Sequence, residues 1–198
     1  LSAQYGLRYA WLVPDTLYGP GYHLDGRQMH FIYDLIRKIM RAKLYGEPVV
    51  LWGDGNQQRE IVYINDFISI AIRIAPLIVN DIINVSPQEQ FSIRHFAGII
   101  CQKVGFDFGL IRFDAGKLTG SSSRCLIADK LRALIPDVTF TPVEVGIART
   151  IDFLKGLRPE DFAGAETRAI SLKAAPGSDR KKSRLLAVTR WKVAAGKG

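Results

Sequence analysis

Residues 52–66 read Trp-Gly-Asp-Gly-Asn-Gln-Gln-Arg-Glu-Ile-Val-Tyr-Ile-Asn-Asp. A glycine-rich turn leads here to a lone arginine, Arg59, which a short apolar strand follows, with Asn65 and Asp66 at the start of an apolar helix. Upstream, residues 13–21 read as a strand that runs straight into a Pro/Gly turn. A strand that ends in a turn, with an arginine on a later turn, is how an α/β sheet presents a polar ligand at its carboxyl edge. The sequence therefore predicts an α/β fold with a polar-ligand site.

The hydrophobic pattern on either side of this stretch alternates between strands and helices. Ser92 is a predicted N-cap, Asn65 or Asp66 is another, and Thr141 with Glu144 reads as a capping box. Helices are expected over residues 27–45, from 65 or 66 to 75, and over 93–104, 129–134 and 142–155. Strands are expected over 7–13, 48–52, 61–64, 81–85 and 110–113.

The composition is that of a globular protein. Of the 198 residues 47% are apolar and 10% aromatic, which allows one domain or one and a fraction. The longest apolar run, residues 61–79, contains charged residues and a proline, so it predicts a buried helix and no membrane span. The two cysteines form no disulfide framework, and with His23 and His95 they show no metal-ligand spacing. We therefore expect a reducing, cytoplasmic setting.

The net charge of +8 is concentrated at one end of the sequence. Residues 164–198 hold nine Lys/Arg and two Asp/Glu, so residues 1–163 are close to neutral. We expect a folded domain over 1–163 and a basic, disordered extension over 164–198, without a nucleic-acid-reading surface on the folded part. Contact of the basic cluster at 180–184 with nucleic acid or acidic lipid is the alternative.

Two motifs carry a resemblance to a known family. Leu17-Tyr-Gly-Pro20 and Gly53-Asp-Gly-x-x-x-Arg59-x-x-x-Tyr63-Ile-x-Asp66 resemble the extended short-chain dehydrogenase/reductase superfamily, the NAD(P)-dependent epimerases and dehydratases of nucleotide sugars. The match is strongest to the GDP-L-fucose synthase family, on Pro14, His30, Arg37-Lys38, Trp52-Gly53, Arg59-Glu60 and Phe113-Asp-Ala115. The resemblance covers residues 1–155 and implies the C-terminal portion of a Rossmann-like doubly wound sheet with a small α/β substrate-binding domain.

The same resemblance implies that the half of the family's fold that binds the cofactor and carries the catalytic Tyr and Lys is not part of this sequence. The sequence contains neither a Gly-rich dinucleotide turn nor a Tyr-x-x-x-Lys pair, and the half that binds NADP or NAD would precede residue 1. We therefore expect no redox turnover from this polypeptide alone, and a homodimer for the complete protein. Because the strands at 7–13 and 61–64 belong in a parallel sheet whose other strands are missing, we also expect an exposed apolar flank.

Five positions match the family's catalytic and cofactor residues. His30 matches a histidine that exchanges a proton at the epimerised sugar carbon, beside the cofactor; the alternative is a surface histidine paired with Asp34. The other matches lie in the segment whose backbone passes the nicotinamide, where the family usually has Asn in place of Thr16; they are Pro14, Asp15, Thr16 and Leu17.

Three more positions match substrate contacts. Arg59 would bind the diphosphate, the alternative being an ion pair with Glu60 or Asp54. Trp52 would pack against sugar or base, unless it is a core tryptophan. Lys38 falls at a basic contact position, with Arg37 nearer to the His30 face of the helix; the alternative for both is a solvated face. The loop 114–124 aligns with a family loop that covers the substrate.

These expectations combine into a nucleotide-sugar epimerase/reductase with a GDP-sugar favoured as substrate. Two alternatives remain open. The first is a non-catalytic module that binds a nucleotide or a protein partner through the same cleft, and the second is a nucleic-acid binder that uses the basic tail.

Overall fold

The computed structural model describes residues 2–22, 29–117 and 119–157. The predicted extension at 164–198 lies outside them. The helices are α1 (Ser2–Tyr5), α2 (Phe31–Tyr45), α3 (Ile64–Ile74), α4 (Ile93–Val104), α5 (Asp129–Leu134) and α6 (Val143–Lys155). The strands are β1 (Ala10–Pro14), β2 (Thr16–Tyr18), β3 (Val49–Trp52), β4 (Gln58–Arg59), β5 (Ile61–Tyr63), β6 (Asp81–Val85), β7 (Phe91–Ser92) and β8 (Ile111–Asp114).

The strands form four pairs. Three are parallel, namely β1 with β6, β2 with β5 and β3 with β8, and β4 pairs antiparallel with β7. The expectation that 7–13 and 61–64 share one sheet is wrong for the described strands. The chain turns at Asp15, whose N–H donates to Val85 O, and β2 restarts as the neighbour of β5.

Two hydrophobic cores flank the β2–β5 pair. The first lies among α2, α4, α6 and the β3–β8 pair, and the second among α3, α5 and β6. Side chains alternate between the two faces of a strand. Accordingly Ile61 and Tyr63 of β5 belong to the first core, whereas Val62 belongs to the second. The α/β fold expected from the sequence is therefore confirmed, with a small α/β unit beside part of a parallel sheet.

One face of the β1–β6 pair is uncovered in the part of the chain that the structure describes. Trp11 and Ile82 occupy matching positions in the ladder and are 57% and 50% exposed, and Val13 beside them is also exposed. The opposite face carries Ile83 and Val85, which are buried in the second core. The predicted apolar flank is thus confirmed, and we call it the bare face (Trp11, Val13, Ile82).

One of the predicted helix N-caps is present in the structure, whereas at two other predicted positions the side chains make different contacts. Ser92 caps α4 as predicted, since its side chain accepts from His95 N–H. The predicted caps at Asp66 and Thr141 are wrong. Asp66 lies inside the first turn of α3 and accepts hydrogen bonds from Thr141 N–H and Oγ1 at 2.7 and 2.8 Å. These two bonds join a helix of the second core to the start of α6 in the first core.

Candidate ligand-binding site

The carboxyl end of the β1–β6 pair meets the start of the β2–β5 pair. Asp15 N–H bonds to Val85 O at 3.3 Å, and Thr16 is the ladder partner of Ile61, two residues after Arg59. The segment from Pro14 to Leu17, predicted to pass the cofactor, therefore lies beside the strand that follows Arg59. This is the edge of a parallel sheet at which α/β proteins bind their ligands.

Arg59 lies in β4, half-buried and paired with Phe91. Its Nη1 donates to Gln58 O at 2.7 Å. Among the described residues its guanidinium forms no ion pair, because Asp54 is held by Asn56 and Glu60 by other donors. Hydrogen bonds from Asn56 also hold the pKa of the Asp54 carboxyl below its usual range. The two alternative ion pairs for Arg59, with Asp54 and with Glu60, are thus not formed.

His30 is the N-cap residue of α2 and is exposed. Its ring lies 6.0 Å from the ring of Tyr22, and its carbonyl accepts from the N–H groups of Tyr33 and Asp34. The Tyr33 hydroxyl bonds to both Gly19 N and Gly19 O at 2.7 Å. These contacts fix the start of α2 against the turn that follows β2, so His30 lies next to that turn.

Asp34, the proposed partner of His30, binds two other side chains. Its carboxylate contacts Arg37 Nη2 at 3.1 Å and Lys38 Nζ at 2.7 Å. The pairing with Asp34, which belonged to the alternative interpretation of His30, is therefore not formed. Arg37 is the less exposed of the two cations, and its Nε is buried without a hydrogen-bond partner in the structure.

Trp52 ends β3 and is 65% exposed, so the core-tryptophan alternative is wrong. The next residue, Gly53, has a φ of 82°, and a Cβ there would lie 2.1 Å from Gln57 Nε2 and 2.4 Å from Thr119 Cγ2. The space next to Gly53 is therefore occupied by the side chain of Gln57, from the same turn, and by that of Thr119, from the loop after β8.

Residues 114–126, here called the 114–126 loop, lead from the end of β8 towards α5. Leu118 lies outside the described residues. The loop begins at Asp114, whose carbonyl accepts from Gly53 N–H, and it runs along β4, where Ser122 O accepts from Gln58 N–H at 2.8 Å. Its end is attached to Glu60, since Leu126 N–H donates to Glu60 Oε2 at 3.0 Å. The loop therefore contacts Gln58 and Glu60, the residues on either side of Arg59.

The predicted site residues are only partly brought together. The β2–β5 ladder places Thr16 and Leu17 beside the strand that follows Arg59, Pro14 and Asp15 lie next to Val85 at the end of β6, and His30 lies at the turn after β2. Trp52 and Lys38 lie on other elements, and within the described residues neither contacts His30 or Arg59 by a hydrogen bond, ion pair or ring contact. Sequence reasoning missed the buried role of Glu60, which it had treated only as a surface partner for Arg59.

A separate cavity of about 350 Å³ contains none of the predicted site residues. It lies between the ends of β2 and β5 and the start of α6, and Tyr18, Asp66 and Glu144 help to line it. Burial, followed by the nearby carboxylate of Asp66, raises the pKa of Tyr18. Among residues 2–22, 29–117 and 119–157, no cluster of His, Cys, Asp and Glu could hold a metal ion. No described helix has the length and apolar content to cross a bilayer.

Comparisons with known proteins agree with this architecture. Residues 1–86 match the model of the NAD dependent epimerase/dehydratase family. The GDP-L-fucose synthase of Dictyostelium discoideum is 30% identical over 156 residues, which is 74% of this chain and 46% of that protein. A Streptomyces dTDP-4-dehydro-6-deoxy-D-allose reductase is 29% identical over 147 residues, 74% of this chain and 43% of the relative.

Structural similarity gives the same fold. The crystal structure of a GDP-L-fucose synthetase from Naegleria fowleri bound to NADP superposes with a TM-score of 0.66 and 23% identity, covering 72% of this chain and 45% of that one. The chain thus spans about half the length of the relatives it matches. The chain is therefore similar to the NAD dependent epimerase/dehydratase family over residues 1–86, and over about three quarters of its length to GDP-L-fucose synthases, a likeness consistent with the extended short-chain dehydrogenase/reductases.

Proposed function

We propose that this chain supplies the sugar-nucleotide-binding half of an NAD(P)-dependent nucleotide-sugar epimerase/reductase of the GDP-L-fucose synthase type. The observation that carries the proposal is the Arg59 guanidinium. It forms no ion pair among the described residues, and Thr16 of the Pro14 to Leu17 segment pairs with Ile61, two residues after Arg59. Relatives named as GDP-L-fucose synthases support a GDP-sugar, and one similar protein is named as a reductase of a dTDP-sugar.

Each predicted residue has a defined task in this proposal. Arg59 binds the diphosphate, because a guanidinium fork donates two parallel hydrogen bonds to phosphate oxygens. Trp52 offers an exposed ring for the sugar or base to pack on. Lys38 gives a second basic contact once phosphate replaces its present partner, Asp34. His30 donates or accepts a proton at the sugar carbon, and its exposure at the N-terminus of α2 makes that reachable.

The residues present fit one end of a nicotinamide dinucleotide, either NADP or NAD. The backbone at Pro14 to Leu17 leaves the carboxyl edge of a parallel pair, which is where such a cofactor approaches an α/β sheet. When bound, the nicotinamide supplies the hydride. This chain's residues would orient the sugar next to it. The sequence offers no Gly-rich turn for the cofactor's diphosphate, so we propose that this task belongs to a separate half of the protein.

The bare face supports the proposal that a separate half of the protein binds the cofactor. A parallel pair is normally covered on both faces, and here Trp11 and Ile82 are left exposed. We propose that the cofactor half covers them in the complete protein, that the complete protein is a cytoplasmic homodimer, and that this polypeptide alone has no redox turnover. The bare face also favours one second candidate, a non-catalytic module that docks a protein partner there.

A binding titration tests the proposal. GDP-L-fucose titrated calorimetrically into the 198-residue chain should bind, with UDP- and dTDP-sugars as comparators. Arg59→Ala should weaken binding about tenfold to a hundredfold, since hydrogen bonds to charged groups contribute roughly 1.5–3 kcal/mol. Arg73→Ala is the matched control, because Arg73 pairs with Asp137 on the surface of the second core.

Two results would count against the proposal. The first is equal affinity of Arg59→Ala and the wild type for the GDP-sugar. The second is NADPH oxidation by the purified chain with a keto-sugar nucleotide, which would show that no second half is needed. Binding of the sugar nucleotide without turnover after the cofactor half is added would favour the non-catalytic module.

A further inference from the structure

Glu60 is the one charged side chain that is fully buried among the residues the structure describes, with 0% of its surface exposed. It stands between Arg59 and β5, at the edge where the ligand is proposed to bind. Removing a carboxyl group from water is unfavourable unless hydrogen bonds replace the water. The residue that follows Arg59 is therefore held in place by specific partners.

Three donors converge on this carboxyl group. Ser86 Oγ and Leu126 N–H donate to Oε2 at 2.9 and 3.0 Å, and Cys125 Sγ donates to Oε1 at 3.4 Å. Within the described residues Glu60 forms no ion pair. Ser86 follows β6, while Cys125 and Leu126 end the 114–126 loop. Glu60 thus joins the strand that carries Arg59 to two segments distant in sequence.

The 114–126 loop has little else that is buried to hold its far end. Residues 119–125 are exposed throughout. Among the described residues, the other hydrogen bonds that attach this part of the loop lie at the surface. They run from Gln58 N–H to Ser122 O, from Gln90 Nε2 to Arg124 O and from Ser123 Oγ to Gln90 Oε1, and the Gln90 side chain also bonds to Cys125. Hydrogen bonds open to water are individually weak, whereas a buried carboxyl group that loses its donors is strongly destabilised. The buried hydrogen bonds to Glu60 are therefore the contact that fixes the position of the loop's C-terminal end.

We propose that Glu60 is a positioning residue that holds the end of the 114–126 loop beside Arg59 and thereby sets how tightly the loop closes on a ligand bound there. Glu60 acts through Cys125 and Leu126 and does not itself touch the ligand. The ligand in this proposal rests on the proposed function. The attachment of the loop can be measured without any ligand.

Alkylation of Cys125 by iodoacetamide, followed by peptide mass spectrometry on the 198-residue chain, reports the attachment. Cys125 is exposed, whereas Cys101 is buried and serves as an unreactive reference. Desolvation, followed by the hydrogen bond and charge of Glu60, raises the pKa of the Cys125 thiol; a hydrogen bond with Gln90 lowers it in part, and Asp15 adds a smaller increase. The rate measured against pH therefore separates a change in thiol ionisation from a change in access.

Two variants distinguish the effect of Glu60 on the ionisation of the Cys125 thiol from its effect on the position of the loop. Glu60→Gln keeps the shape and one oxygen for Ser86 and Leu126, so its alkylation curve should move to lower pH with the same rate at the alkaline plateau. Glu60→Ala removes every acceptor, so the plateau itself should rise about tenfold as the loop is released. Glu144→Gln makes the same chemical change on an exposed carboxylate and should leave the curve unchanged.

Ligand binding then tests the positional consequence. GDP-L-fucose should protect Cys125 in the wild type, bind Glu60→Ala about tenfold more weakly, and bind Glu60→Gln within about threefold of the wild type. The proposal is overturned if the alkylation curve of Glu60→Ala is the same as that of the wild type. It is also overturned if Glu60→Ala releases the loop but binds GDP-L-fucose with the affinity of the wild type. If Glu60→Ala does not fold, an unshifted curve in Glu60→Gln overturns it. If the wild type binds no sugar nucleotide, the proposed function fails, and the alkylation curves alone decide whether Glu60 holds the loop.

Discussion

The β2–β5 and β1–β6 pairs are both parallel, yet they differ in what covers them. The β2–β5 pair lies between two hydrophobic cores, with Tyr63 facing one and Val62 facing the other. The β1–β6 pair has a core on one face only and leaves Trp11 and Ile82 exposed. Since parallel pairs are normally buried on both faces, the comparison identifies the bare face as the surface that the described residues leave uncovered.

The proposed site lies where these two pairs meet. Its inner side is built from residues of the doubly covered pair, and its outer side from Pro14 and Asp15 at the end of the half-covered one. A ligand at this edge would therefore contact one strand pair that is covered on both faces and one that is covered on a single face. Predictions that alter one face at a time can test this difference.

The largest expected effect is on the inner face of β6. Ile83→Ala should lower the free energy of unfolding by about 2–5 kcal/mol, because it removes a buried side chain and leaves a cavity. Ile82→Ala, one residue away on the bare face, should change it by less than about 1 kcal/mol. Urea unfolding of the two variants measures both. Equal losses would mean that the bare face is covered in solution.

A smaller effect is expected at Tyr33, which fixes the turn after β2. Burial raises the pKa of Tyr33 from the ordinary 10.0 to about 12, although the hydrogen bond to Gly19 lowers it in part. Because the folded-state pKa is the higher one, this contribution to stability is complete below pH 10 and is lost as the pH rises to 12.

Tyr33→Phe should therefore be less stable than the wild type by about 1 kcal/mol at pH 7, through loss of the Gly19 hydrogen bonds. The difference should shrink between pH 10 and 12, because the variant lacks a titrating group at this position. Urea midpoints at pH 7, 10 and 11.5 measure this. A constant difference across that range would contradict the buried, neutral hydroxyl.

The smallest effect on stability, with a clear effect on association, is expected on the bare face. Trp11→Lys should change the free energy of unfolding by less than about 1 kcal/mol while reducing self-association in sedimentation velocity. Trp52→Lys is the control, because Trp52 is similarly exposed but lies on β3, away from this face. Equal reductions in the two variants would show that general hydrophobicity causes the association.

The sequence alone was sufficient for the elements with strong local signals. The helices at 93–104 and 129–134 and the strand at 81–85 have the predicted bounds, because a cap or a sharp change of hydrophobic pattern marks their ends. The two-residue strands β4 and β7 have no such pattern and were not predicted. For the same reason the role of Glu60 was missed, since its donors lie 26 to 66 positions away along the chain.

The amino-acid order by itself determined the element types, the α/β class and the candidate residues Arg59 and His30, because periodicity and short motifs are properties of neighbouring residues. Only the tertiary structure decided that β1 pairs with β6, that Asp66 binds Thr141, and that Glu60 is buried beneath the end of a loop. These contacts join distant segments, and the free energy of burying or pairing a polar group depends on which segments meet there.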